Sequence, residues 1–215
     1  MYPHQREGFK FIWTNLARTI DNEKLKNDDH YGAGGCIISN DPKTGKTRLT
    51  IPFLQTYLDV FSHYREIIVA PSCLLLTWEE EIRKWNIGVP FHNLKSLELL
   101  GKLKSMLMPS TKLIGVGIQQ RNIVKLYTWF KEKSILGISY NLFEKHVGGE
   151  SKADVNIRKM MEDTESRIMG KFLRDISDLL VLDEGQTPRN HYCLIWKAFS
   201  EIQTHKRIIH LGTPF

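Results

Sequence analysis

The sequence predicts an α/β fold of three layers, in which a mainly parallel sheet is covered by helices on both faces. Short apolar segments rich in isoleucine, valine and leucine alternate along the chain with longer segments of helical periodicity. The short segments are apolar nearly throughout, which is typical of strands that are buried on both sides. Strands of this kind, alternating with helices, belong to a parallel sheet with a helical layer on each face.

The first part of the chain supplies a helix, a loop and a strand–loop–helix unit. A helix is predicted over 2–16, because apolar side chains recur there at helical spacing. These side chains are Phe9, Ile12, Trp13 and Leu16. The polar segment 21–31, of mixed charge, is predicted to be an exposed loop. An apolar strand at 35–39 and a helix at 46–60 follow, joined by a short loop that contains Gly-Lys-Thr.

A second strand and helix come next. The apolar segment 66–70 is predicted to be a strand that Pro71 stops, and 74–85 is predicted to be a helix. Trp78 and Trp85 lie two helical turns apart, so we expect both to pack in the core or against another helix. The three glutamates between them are expected to form a solvated face.

The remaining elements are assigned in the same way. The predicted strands are 91–94, 134–138, 179–182 and 206–211, and the predicted helices are 124–131, 157–177 and 192–203. Segment 101–122 has weak periodicity and is expected to be irregular in part. The polar segment 148–156 is expected to be an exposed loop.

Length and composition limit the class of protein. A chain of 215 residues with 41% hydrophobic residues forms one domain, or one domain with extensions. No apolar run approaches the roughly 20 residues of a membrane span, so no membrane partner is expected. The three cysteines and eight histidines show no metal or disulfide spacing, and the histidines are expected to be isolated polar or core side chains. The net charge of +6 permits attraction to nucleic acid without requiring it.

The loop between the first strand and the second helix has the composition of a phosphate-binding loop. Segment 41–47 reads Asp-Pro-Lys-Thr-Gly-Lys-Thr and joins an apolar strand to a helix. Such a loop directs backbone N–H groups and a helix N-terminus at an anion. Lys46 adds a cation for the outer phosphates, and the Thr47 hydroxyl can ligate magnesium. A Gly-Lys-Thr tripeptide alone is a weak signal.

Two adjacent carboxylates strengthen this interpretation. Asp183 and Glu184 directly follow the apolar strand 179–182. Asp183 can hold magnesium and Glu184 can orient an attacking water. Ligands of parallel sheets bind at the carboxyl ends of the strands. The sequence therefore predicts that Lys46–Thr47 and Asp183–Glu184 converge on one magnesium–triphosphate.

Five blocks, in this order, resemble the first RecA-like lobe of the Swi/Snf-type, helicase-related ATPases. The blocks are 3–8, 46–47, 68–71 with 76–81, 183–184 and 212–214. The resemblance implies a RecA-like P-loop domain over 1–215 that binds ATP and magnesium and belongs to a DNA translocase. In that family the first block reads adenine, and the third, motif Ia, lies along the DNA backbone.

The resemblance assigns a role to individual residues. Those implied to bind the nucleotide are Gln5, Thr44, Gly45, Lys46, Thr47 and Arg48. Those implied to hold magnesium are Thr47 and Asp183, and those implied to be catalytic are Lys46, Asp183 and Glu184.

Within this group the chain resembles the CLASSY proteins of plants. The segments that carry the likeness are 12–17, 77–85, 137–142 and 187–190. The resemblance implies a nuclear protein that remodels chromatin and works with RNA polymerase IV in small-RNA-directed DNA methylation and gene silencing. It implies double-stranded DNA or chromatin as a ligand, bound with low affinity by this lobe alone.

The sequence departs from the family pattern at several positions. Lys43 stands where the loop usually has glycine; its side chain can crowd the phosphates, or its positive charge can attract them. The usual Asp-Glu-Ala-His reads Asp-Glu-Gly-Gln and ends at Gln186, and Leu211 replaces the serine of Ser-Gly-Thr-Pro. The sequence ends at Phe215, so we expect the chain to stop after motif III without the second RecA-like lobe, which would act in cis or in trans.

Two functions remain open at this point. An arginine finger from the second lobe is typically worth about 10³–10⁵ in rate. The resemblance therefore implies that this lobe alone binds MgATP but hydrolyses it poorly. The alternative is a non-catalytic scaffold or a shortened remnant that keeps only a partner-binding surface.

Overall fold

The structure is a computed structural model that describes residues 2–17, 34–39, 45–96, 118–148, 157–188 and 193–212. In these residues one sheet of parallel strands runs in the order β1–β6–β5–β2–β4–β3. The strands are β1 (Cys36–Ser39), β2 (Glu66–Ala70), β3 (Phe91–Asn93), β4 (Ile135–Ser139), β5 (Leu179–Leu182) and β6 (Arg207–Leu211).

Helices cover both faces of the sheet. On one face lie α1 (Pro3–Ala17), α2 (Lys46–Val60) and α3 (Leu74–Trp85). On the other lie α4 (Ile118–Lys131), α5 (Tyr140–Val147), α6 (Ile157–Asp175) and α7 (Leu194–Ser200). The predicted three-layer α/β fold is confirmed.

Each central strand contributes to two hydrophobic clusters, one on each face. In β2, Ile68 and Ala70 belong to the cluster under α1–α3, whereas Ile67 and Val69 belong to the cluster under α4–α7. Successive side chains of a strand point to opposite faces, so a strand covered on both sides has no polar face. This is why β5 is apolar throughout and β2 is apolar from Ile67 to Ala70, after the buried Glu66 at its start.

The helix predicted over 192–203 is shorter, Leu194–Ser200, and two other helical segments differ more from the sequence prediction. Helix α4 begins at Ile118 rather than at residue 124, so the end of the segment expected to be irregular is helical. Helix α5 was not predicted, because it follows β4 directly, without an intervening loop. Its start has a local cause: the Ser139 hydroxyl accepts a hydrogen bond from the Leu142 N–H at 3.3 Å and caps the helix.

Other predictions concern exposed segments. The predicted loop 21–31, and 149–156 of the second predicted loop, lie outside the described residues.

Trp78 is buried as expected, but Trp85 is 42% exposed and its prediction as a packed residue is wrong. Trp85 is the last residue of α3, and its indole N–H donates to Glu81 of the same helix at 3.3 Å. Among the helices that the structure describes, none has the length and apolarity needed to cross a bilayer.

The strand order determines which loops meet. Strand β6 lies between β1 and β5, and all three strands are parallel. Their carboxyl ends therefore lie side by side at one edge of the sheet. Helix α2 starts beyond β1, and the Asp183–Glu184 pair follows β5, so β6 is placed to bridge them.

Candidate nucleotide site

The start of α2 forms one wall of the candidate site. Gly45 precedes the helix with φ 89°, in the left-handed region that glycine adopts without strain. Its carbonyl accepts the first helical hydrogen bond, from the Leu49 N–H at 2.9 Å. The first N–H groups of a helix have no acceptor within the helix, and Gly45 has no side chain to cap them. This helix end is therefore suited to an anion.

Gln5 of α1 lies against this turn. A Cβ added to Gly45 would stand 2.9 Å from the Gln5 Nε2 atom, closer than carbon atoms approach without displacement. Gln5 is buried, and its Oε1 accepts a hydrogen bond from the Tyr2 N–H at 3.0 Å. The first turn of α1 thus holds the Gln5 amide beside the glycine, and the absence of a side chain at residue 45 makes the close approach possible.

The carboxylate of Asp183 forms the opposite wall. Asp183 is 8% exposed and follows the last residue of β5. Its Oδ2 accepts a hydrogen bond from the Trp78 Nε1–H at 2.8 Å, and its Oδ1 accepts one from the Glu184 N–H at 3.2 Å. The Nδ1 atom of His210 faces the same Oδ1 at 3.4 Å.

These contacts decide the charge of Asp183. Burial raises the pKa of this carboxyl, but the contact with His210, and then the N–H groups of Trp78 and Glu184, outweigh burial. The pKa therefore lies below its usual value. A buried carboxylate that stays ionised is a suitable ligand for a divalent cation.

His210 and Thr50 connect the two walls. His210 is fully buried in β6, and its Nε2 atom lies 2.8 Å from the Thr50 hydroxyl of α2. The same hydroxyl donates to the Lys46 carbonyl at 3.0 Å. A hydroxyl has one proton, so while it donates to Lys46 it accepts from the His210 Nε2–H. Short contacts thus run from Lys46 through Thr50 and His210 to Asp183.

The turn after Asp183 places Glu184 against the end of β6. Glu184 has φ 54°, which is uncommon for a residue with a side chain. Its Oε2 accepts a hydrogen bond from the Gln186 Nε2–H, and its carbonyl accepts one from the Thr187 N–H at 2.9 Å. A Cβ added to Gly212 would stand 3.0 Å from the same Oε2. Gln186 therefore orients the Glu184 carboxylate, and Gly212 leaves room for it.

Tyr140 supports this turn from the other side of the sheet. It is the first residue of α5 and is buried, and its hydroxyl donates to the Asp183 carbonyl at 2.9 Å. Burial raises the pKa of Tyr140, with the neighbouring carboxylates Asp183 and Glu184 adding to the shift. The tyrosine therefore stays a neutral hydrogen-bond donor.

The structure locates most of the residues that the sequence singled out. Gly45, Lys46, Thr47 and Arg48 lie together at the start of α2, with Arg48 exposed, and Thr44 lies outside the described residues. Asp183 and Glu184 lie across the sheet edge from them, linked through β6. The carboxylate of Asp183 and the hydroxyl of Thr47 are oxygen groups of the chemical kind that magnesium prefers.

Sequence reasoning missed four side chains of this site: Thr50, Trp78, Tyr140 and His210. Trp78 was assigned to packing, although a buried indole N–H needs an acceptor. The histidines were expected to be isolated polar or core side chains; His210 is a buried core residue, but it is not isolated, because it contacts both sides of the site. No local pattern identifies it, since its partners lie on two other elements.

Comparison with known proteins agrees with the fold and the motifs. Residues 4–215 match the model of the SNF2-related domain. The SNF2 domain-containing protein CLASSY 3 of Arabidopsis thaliana is 49% identical over 221 residues, which cover 100% of this chain and 16% of that protein. CLASSY 4 of the same plant is 44% identical over 218 residues, covering 100% of this chain and 18% of that protein.

More distant similarities extend the comparison. The transcriptional regulator ATRX of Homo sapiens is 29% identical over 215 residues, covering 99% of this chain and 8% of that protein. The Sulfolobus solfataricus SWI2/SNF2 ATPase core, solved in complex with dsDNA, superposes with a TM-score of 0.56 at 18% identity and covers 99% of this chain and 32% of that chain. This chain thus spans less than a fifth of the length of the two CLASSY proteins. It belongs to the SNF2-related domain family.

Proposed function

We propose that this chain is the nucleotide-binding lobe of an SNF2-family ATPase and holds MgATP between α2 and the carboxyl end of β5. The observation that carries the proposal is the series of contacts from the Lys46 carbonyl through Thr50 and His210 to Asp183. These contacts connect the start of α2, which carries Lys46, with the acidic turn after β5. Nucleotide and magnesium use is general in this family.

Each residue has a distinct task in the proposed site. Thr44, Gly45 and the first N–H groups of α2 receive the phosphates, with Lys46 and Arg48 supplying positive charge. Gln5, held beside Gly45, contacts the base. The Thr47 hydroxyl and the Asp183 carboxylate would hold magnesium, which when bound would supply positive charge beside the phosphates.

Glu184 is the residue proposed to orient the attacking water. Its carboxylate is held by Gln186 and lies against Gly212, so its direction is set before a substrate arrives. Orientation of this kind lowers the entropic cost of reaction. The lobe by itself is proposed to turn over slowly, because stabilisation of the transferred phosphoryl group by an arginine from a second RecA-like lobe, in cis or in trans, is worth about 10³–10⁵ in rate.

We propose double-stranded DNA or chromatin as the macromolecular ligand. The structural neighbour was solved on dsDNA, and the net charge of this chain is +6. Contacts to phosphates are independent of sequence and weaken steeply with salt. The similarity to the CLASSY proteins further supports a nuclear role with the RNA polymerase IV machinery in small-RNA-directed DNA methylation and gene silencing.

Equilibrium titration tests the nucleotide site. Fluorescently labelled ATP with magnesium is titrated against the wild type, Lys46→Ala and Asp183→Asn, with anisotropy as the readout. We expect saturable binding by the wild type, at least tenfold weaker binding by Lys46→Ala, and loss of magnesium dependence in Asp183→Asn. No binding by the wild type up to millimolar nucleotide, or equal binding by wild type and Lys46→Ala, contradicts the proposal.

One observation favours a second candidate, a non-catalytic scaffold. Gln186 stands where the family pattern has histidine, so the side chain that holds Glu184 has no titratable group. A steady-state ATPase assay with DNA and an added second lobe separates the two functions. Stimulated turnover supports the ATPase, whereas nucleotide binding without any stimulation supports the scaffold.

A further inference from the structure

Trp78 joins helix α3 to the acidic end of β5. Its side chain is 1% exposed and packs in the hydrophobic cluster under α1–α3. Its ring also stacks on His210, with centroids 6.1 Å apart and planes at 20°. From this apolar position the Nε1–H donates to the Asp183 Oδ2 at 2.8 Å. A buried indole N–H without an acceptor is costly, so the carboxylate and the indole satisfy each other.

Trp78 and the residues after β5 hold the carboxylate from two directions. Trp78 contacts Oδ2, while the Glu184 N–H and the His210 ring contact Oδ1. Rotation of the carboxylate about its Cβ–Cγ bond would break contacts on both oxygens. A carboxylate has about four lone-pair directions, so these contacts leave acceptor capacity for a cation.

We propose that Trp78 is a positioning residue that fixes the Asp183 carboxylate for the magnesium of the bound nucleotide. This inference rests on the proposed nucleotide function. Groups that hydrogen-bond to metal ligands set the ligands' orientation, and their loss typically costs about 10–100-fold in metal affinity or activity. Because Trp78 belongs to α3, any ligand that displaces this helix also moves the hydrogen-bond donor of Asp183.

A packing role and a positioning role predict different results for Trp78→Phe. Phenylalanine keeps an aromatic ring in the cluster and removes the N–H. If Trp78 serves packing alone, the substitution lowers stability and affects nucleotide binding equally with and without magnesium. If Trp78 positions Asp183, the loss is confined to the magnesium-dependent part of the affinity.

Trp85→Phe is the matched control. Trp85 lies on the same helix, and its indole N–H also donates to a carboxylate, that of Glu81, but the pair is exposed. Anisotropy titrations with labelled ATP are run for both variants, with magnesium and with EDTA. We expect Trp78→Phe to bind MgATP about tenfold more weakly and metal-free ATP with unchanged affinity. Trp85→Phe should match the wild type in both conditions.

A measurement on the wild type avoids dependence on the folding of a variant. In a ¹⁵N-labelled sample saturated with ATP, the indole N–H resonance of Trp78 should shift when magnesium is added. The resonance of Trp85 should stay in place.

The outcomes separate the two claims. An unshifted Trp78 resonance, or a Trp78→Phe variant that loses equal affinity with and without magnesium, overturns the positioning role while the nucleotide function stands. Absence of wild-type MgATP binding overturns both claims.

Discussion

Gly185→Ala is a sharp test of how β5 and β6 meet beneath the site. The Gly185 N–H donates to the His210 carbonyl at 2.7 Å, which draws the turn after Asp183 onto β6. A Cβ at residue 185 would stand 2.3 Å from Cγ2 of Ile209 and 3.3 Å from the His210 carbonyl oxygen. The Cγ2 methyl of isoleucine is attached to Cβ, so it cannot move away without a change of the stiff χ1 angle.

The size of the effect follows from this contact alone. Gly185 does not adopt a positive φ, so alanine adds no backbone strain of the left-handed kind. Overpacking by one methyl in a well-packed region costs about 1–3 kcal/mol. We expect Gly185→Ala to lower the free energy of unfolding by that amount in urea denaturation. We also expect weaker MgATP binding, because the displaced turn carries Asp183 and Glu184.

A double-mutant cycle tests the cause. Ile209→Ala removes the Cγ2 atom, so the Gly185→Ala penalty should nearly vanish in that background. Gly34→Ala is the control, since a Cβ there meets no atom within 4 Å. A Gly185→Ala penalty below about 0.5 kcal/mol, within the range of ordinary surface substitutions, would refute the reasoning. An equal penalty in the Ile209→Ala background would also refute it.

Two further variants address the buried polar groups. Thr50→Val leaves the His210 Nε2–H without its partner and should lower the free energy of unfolding by about 1–3 kcal/mol in urea denaturation. Thr56 is the control position, because its hydroxyl donates to the Pro52 carbonyl within the same helix, and Thr56→Val should cost less. Equal costs for the two variants would contradict the bridging role of Thr50. Burial raises the pKa of Glu66 well above its usual range, and the nearby Lys133 opposes the shift without cancelling it. The folded state therefore keeps a proton that the unfolded state releases above about pH 4.3, so wild-type stability should fall as the pH rises from 5 to 8. Glu66→Gln should flatten this fall, and parallel curves for the two proteins would show that Glu66 is not its source.

The elements that the sequence predicts well are those with a local cause. Helix α2 has the predicted bounds, Lys46–Val60, because a glycine turn starts it and helical periodicity continues through it. Strands β2 and β5 also have the predicted bounds, since a strand buried on both faces is nearly continuously apolar, and in β2 only the first residue, Glu66, is charged. Helix α5 was not predicted because no turn residues separate it from β4. The signal that could have indicated its start is Ser139, whose side chain caps the helix.

The hydrogen-bond partners within the site could not be predicted from local sequence patterns. His210 bridges α2 and β5 because β6 is inserted between β1 and β5, and strand order is a property of the whole sheet. The burial of Trp78 could be predicted from its helical position, but its acceptor lies 105 residues away in sequence. Local periodicity places a side chain on the core face of a helix; it does not identify the polar atom that the side chain meets there.

Paramagnetic broadening by manganese tests the central claim most directly, namely that the start of α2 and the end of β5 share one metal–nucleotide. Manganese accepts the same oxygen ligands as magnesium. With ATP bound, added Mn²⁺ should broaden the amide resonances of Thr47 and Glu184 together, at one equivalent per chain. Broadening of one of these resonances without the other, or at different stoichiometries, would show that the two walls do not hold a common ligand.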